Sequence, residues 1–176
     1  GFTVRLDNGT VLTVAPGSAT AVVAYEERLL VAGGRTFVSQ YVSHAGIVSL
    51  SVDNDELNMV FTFDKPVEDL VPKAVGQSVE FNFKANMAFK SGEKRTREGI
   101  QRHSVVGSEQ IIVGRCSYTA QVFLKSGRYP SEDESYEQRI LYVPDLRLPL
   151  MWRIESRRKG ENNTIVMRAA GIEEGN

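Results

Sequence analysis

Two stretches alternate apolar and other side chains with a period of two. In residues 57–63, Leu57, Met59, Phe61 and Phe63 fall on one side, with Asn58, Val60 and Thr62 on the other. In residues 79–84, Val79, Phe81 and Phe83 oppose Glu80, Asn82 and Lys84. Successive side chains of an extended strand point to opposite faces, so both stretches predict half-buried strands. Shorter segments rich in β-branched and aromatic residues predict further strands at 3–6, 11–14, 36–41, 47–52, 100–105, 110–113, 117–124, 136–142, 151–156 and 164–169. Segment 19–31 reads equally as a helix, with Ala21, Ala24 and Leu29 on one face, or as a strand because of its valines.

Turn signals separate these segments: Asp7-Asn8-Gly9, Ala15-Pro16-Gly17, Gly33-Gly34, Asp53-Asn54-Asp55, Asp64-Lys65-Pro66, Ser91-Gly92, Ser126-Gly127, Val143-Pro144-Asp145 and Lys159-Gly160. Their spacing excludes long helices. About a dozen strands need their edges protected, which predicts a mainly β fold: a strongly curved antiparallel sheet or incomplete β-barrel with at most one or two short helices. With 176 residues and no repeat or low-complexity stretch, residues 1–176 are expected to form a single β domain.

Composition changes this picture little. The 21 basic and 22 acidic residues leave a net charge of −1, which creates no overall field toward nucleic acid or anionic membrane. Residues 84–103 are locally basic, through Lys84, Lys90, Lys94, Arg95, Arg97 and Arg102. Phe89 is the only aromatic residue close to the tip of this segment, so a solvated hairpin is favoured over a nucleic-acid site, and no nucleic-acid partner is expected. No run is long and apolar enough for a transmembrane helix. The chain begins at Gly1, so either a leader was removed or that residue is a cloning remnant.

Catalytic signatures are missing. The sequence has no phosphate-binding glycine loop, dinucleotide fingerprint, zinc-protease helix, paired-cysteine motif or serine elbow, and no enzymatic activity, cofactor or metal is expected. His44 and His103 are expected to be exposed loop histidines. Cys116 is expected to be a buried, inert thiol, with a thiol enzyme using Cys116 and His44 or His103 as the competing reading. The acidic stretches Glu132, Asp133, Glu134, Glu137 and Asp53, Asn54, Asp55, Glu56 lack the spacing and turn glycine of a calcium loop and read as solvated. The aromatic residues are the remaining signal: Phe61, Phe63, Phe81, Phe83 and Trp152 lie on expected strands, and they either fill a core or line a cavity for an apolar ligand.

The second half, VVGSEQIIVGRCSYTAQVF followed by RILYVPDLRLPLMWRIES and NNTIVMRAAGIE, resembles a family of secreted or periplasmic β-rich proteins of unknown function from Gram-negative bacteria. Val106, Gly107 and Glu109 match one element of that family, and Tyr142, Pro144, Leu146, Leu148 and Pro149 match another. Arg147 stands where a glycine is frequent. The resemblance implies an exported envelope protein whose signal peptide has been removed, with a curved sheet similar to that of lipoprotein carriers. It points to a non-enzymatic role in which the sheet binds an apolar ligand, lipid included, or another envelope protein; the alternative is an assembly module with a filled core. The prolines predict that residues 142–152 form a packed structural crossing.

Overall fold

A computed structural model describes residues 1–15, 21–30 and 33–174. Twelve antiparallel strands follow one another around a closed barrel: β1 (Phe2–Leu6), β2 (Val11–Val14), β3 (Val22–Leu30), β4 (Thr36–His44), β5 (Val48–Asn54), β6 (Leu57–Phe63), β7 (Ser78–Phe89), β8 (Lys94–Val113), β9 (Cys116–Tyr129), β10 (Glu134–Val143), β11 (Leu148–Arg158) and β12 (Glu161–Glu174). Each strand pairs with its neighbour in sequence, and β1 pairs with β12 to close the ring. Closure removes the free edges that an open sheet would expose. Among the described residues the one short helix is a 3₁₀ turn at Val67–Asp69.

Alternation sorts the side chains as the sequence predicts. Phe81, Phe83 and Ala85 of β7 are buried inward, whereas Glu80, Asn82 and Lys84 face solvent. Several charges of the basic segment are paired on the surface, Lys84 with Glu98 and Arg95 with Glu93. Four bulges, at Leu50, Val106, Leu150 and Ala170, break the ladder. Each inserts a residue, reverses which face the following residues present and adds the twist that closure requires. On β9 both Val122 and Phe123 are consequently buried, in different clusters. One cluster joins Val4, Leu6 and Leu12 to Val113, Ala120, Val122 and Leu141. The other gathers Leu70, Phe81, Val105, Phe123 and Ile140 beneath the 3₁₀ turn.

Several expectations change. Segment 19–31 is not a helix where it is described: Val22–Leu30 is a strand, and Tyr25 stacks on its cross-strand partner Tyr41 at 4.9 Å. Residues 19, 20 and 31, with Pro16 and Gly17 of one turn signal, lie outside the described residues. The strands expected at 100–105 and 110–113 are one 20-residue strand bulged at Val106. Ser126-Gly127 is not a turn, because β9 continues to Tyr129. The expected crossing at 142–152 is a tight turn between paired strands, closed by Leu146 N–H to Val143 O at 3.2 Å and Arg147 N–H to Pro144 O at 3.1 Å. Arg147 holds φ = 51°, a left-handed conformation that suits glycine.

Candidate functional site

The interior holds polar side chains that a filled core would not need. His103, Lys125 and Gln138 are cross-strand partners on β8, β9 and β10, and they form one inward-facing rung. Lys125 continues the inward series Phe123, Lys125, Gly127 and Tyr129, and only 9% of it is exposed. Its Nζ reaches across the barrel and donates to the Ile47 carbonyl at 3.0 Å. Among the described residues no carboxylate lies within ion-pairing distance of it. Burial without an anionic partner pushes its pKa down to about 8.

The far anchor of this strut is locked in place. Gly46 holds φ = 71°, and a Cβ built on it would stand 2.1 Å from the Arg147 carbonyl oxygen. Only glycine lets the β4–β5 turn approach the β10–β11 turn so closely, and that approach presents the Ile47 carbonyl to Lys125.

His103 is fully buried, with Nδ1 at 2.8 Å from the Leu70 carbonyl and Nε2 at 2.9 Å from the Gln101 side-chain amide. Burial, reinforced by the Lys125 charge, pushes its pKa down to about 3, so the ring is neutral. A neutral imidazole has one N–H, which serves one of the two oxygens its nitrogens face, the Leu70 carbonyl or Gln101 Oε1, while the Gln101 NH2 donates to the Tyr136 hydroxyl. The chain ties the 3₁₀ turn to the barrel wall. The edge of His103 also meets the Phe81 ring at 4.9 Å.

The Lys125 strut borders two partly open cavities, and Ser49, Lys125 and Gln138 line both. The smaller, about 230 Å³, is walled by Val48, Phe61, Phe63, Phe83, Tyr129 and Tyr136. Two glycines make room for its rings. A Cβ on Gly99 would lie 2.6 Å from the Phe83 ring, and one on Gly127 would lie 2.3 Å from that of Tyr136. Beyond Tyr129, the Arg97 guanidinium lies 3.8 Å from the ring centroid and pairs with Glu132 at 2.7 Å and Glu134 at 2.9 Å. The larger cavity, about 330 Å³, is lined by Tyr25, Glu27, Tyr41, Ile140, Trp152 and Met167, among others. There the Tyr41 hydroxyl donates to Glu27 at 2.9 Å.

The aromatic residues singled out from sequence therefore divide. Phe61, Phe63 and Phe83 wall the smaller cavity and Trp152 the larger, while Phe81 lines neither and packs edge-on against Phe63 at 5.7 Å. Lys125, Gln138, Gly99 and Gly127 were not singled out. Their signal was present: the alternation of β9 carries on past Phe123 through Lys125 to Tyr129.

Two expectations about reactive groups are corrected. His103 is not an exposed loop residue but a buried strand residue, and His44 is a half-buried residue at the end of β4. Cys116 is exposed at the start of β9, not buried, because the β8–β9 hairpin tip extends past the end of β10. Its pairing partner Val113 is ten residues along β8 from His103, a separation of about 30 Å at strand rise. Among the described residues no cluster of histidine, cysteine and acidic side chains fit for a metal ion is present.

No known family model matches the chain, and no curated protein matches it. Among solved structures it is similar to the hypothetical lipoprotein YmcC of Escherichia coli, with 11% identity and a TM-score of 0.57, covering 95% of this chain and 84% of that one. At that identity the likeness is one of fold.

Proposed function

We propose that the protein is a non-enzymatic binding protein of the cell envelope that takes an apolar or amphipathic ligand inside its barrel. The observation that carries this reading is the pair of partly open cavities that share Lys125, the smaller lined by six apolar or aromatic residues together with the polar Ser49, Gln101, Lys125 and Gln138. A barrel meant only as a scaffold gains from filling such space, since each void forfeits packing energy. Glycines beneath the Phe83 and Tyr136 rings keep it open. An envelope location is supported by the fold shared with a hypothetical lipoprotein and by the family resemblance of the second half. A non-enzymatic role is supported by the separation of Cys116 from His103 and by the engagement of both His103 nitrogens.

The test is titration with the neutral fluorophore N-phenyl-1-naphthylamine, together with native mass spectrometry of the purified protein. Saturable one-to-one enhancement, displaced by a co-purified or added amphiphile, is the expected result. Absence of both enhancement and bound amphiphile overturns the reading in favour of an assembly module.

A further inference from the structure

The ligand class follows from what Lys125 lacks, on the reading that the barrel interior is a binding site. A lysine ammonium carries three N–H donors, and one is taken by the Ile47 carbonyl. The other two have no partner among the described residues, although the side chain is more than nine-tenths buried. A buried charge without a counter-charge costs several kcal/mol, and a scaffold relieves that cost by substituting an apolar residue. Among the described residues, Lys125 is the only cation lining either cavity, and the one carboxylate there, Glu27, is engaged by Tyr41 in the larger. The neighbouring titratable group on β8, His103, is neutral and has both nitrogens occupied. The rung thus offers one positive charge and two free donors in the lining of the cavity that Phe61, Phe63 and Phe83 also wall.

We propose that Lys125 binds the carboxylate of a single-chain aliphatic acid whose hydrocarbon tail lies in the cavity walled by Phe61, Phe63 and Phe83. One ammonium neutralises one negative charge, which favours a monocarboxylate over a doubly charged phosphate. Two free N–H groups match the two oxygens of a carboxylate. The tail belongs in the smaller cavity because Glu27 gives the larger one a negative charge. From Lys125 to Tyr129 the wall runs four residues, about 13 Å of strand, which suits a medium-length chain.

The experiment displaces N-phenyl-1-naphthylamine with dodecanoate, dodecanol and dodecyl phosphate, in the wild type and in Lys125→Met, whose fold is checked by circular dichroism. A charge-assisted hydrogen bond to the buried ammonium predicts dodecanoate binding about tenfold or more tighter than dodecanol. That preference is expected to fall to within about twofold in Lys125→Met. Equal binding of acid and alcohol by the wild type, which needs no variant, overturns the proposal and leaves the apolar-binding reading standing. So does a preference that persists in Lys125→Met, and so does dodecyl phosphate binding better than dodecanoate. If neither fluorophore enhancement nor a bound amphiphile is found, the reading beneath the proposal fails, and the proposal fails with it.

Discussion

Lys125 and His103 occupy one rung, and both are held uncharged more readily than in water. Their effects on stability follow from that. Lys125 titrates near pH 8 in the folded chain and near 10.5 when unfolded. Below pH 8 both states carry the proton and the fold bears the cost of burying it. Between pH 8 and 10 the unfolded chain binds more protons than the fold, so stability rises with pH. The gain between pH 8 and 9.5 is about 2 kcal/mol. Urea denaturation at these two pH values is expected to show this rise in the wild type and not in Lys125→Met, which should be at least as stable at neutral pH. For His103 the folded value near 3 lies below the ordinary 6.5, so its stabilising effect is complete above pH 6.5 and disappears as pH falls toward 3. The wild type is expected to lose about 2 kcal/mol more than His103→Gln between pH 6.5 and 5.

At the scale of the element, strands β7, β8, β9 and β10 shape the smaller cavity by opposing aromatic rings to glycines. In Gly127→Ala the added methyl lies 2.3 Å from the Tyr136 ring, which must swing into the cavity. The variant is expected to lose about 1 to 3 kcal/mol and to bind N-phenyl-1-naphthylamine far more weakly. Undiminished binding in a folded variant would show that the fluorophore sits elsewhere. Trp152 on β11 packs against both core clusters and lines the larger cavity. Because one side of the indole faces open space, Trp152→Ala is expected to cost about 3 kcal/mol, the low end for a buried tryptophan. The melting temperature should fall by roughly 6 to 12 °C.

Across the whole molecule, β content, most turns and the inward faces of β6 and β7 were legible, because half-buried strands write their geometry as a period of two. What was not legible has a physical cause at each place. Ser126-Gly127 reads as a turn, yet its glycine is needed beneath the Tyr136 ring. His103 reads as an exposed loop residue and Lys125 attracts no reading, because polar side chains are normally solvated; the partners that keep both inside come from Leu70 and Ile47, on remote segments. The cavities arise from packing across the barrel, which no local pattern encodes.

The pairing of β1 with β12 sets Phe2 opposite Glu174 and Thr3 opposite Glu173, with Arg5 salt-bridged to Glu173 at 2.8 Å. This seam has a kinetic consequence. Every other pairing joins strands adjacent in the chain, most of them across a short loop at small entropic cost, but the seam requires two ends about 170 residues apart to meet. Folding is therefore expected to proceed by quick zipping of hairpins followed by a slower ring closure. During that interval β1 and β12 are bare edges, open to pairing with the same edges of another molecule. Stopped-flow refolding should resolve the slow phase. Arg5→Glu, which sets like charges across the seam, should lengthen that phase while leaving the fast one unchanged. It should also make refolding yield fall more steeply with protein concentration, since a barrel that closes late is one that strangers have time to enter.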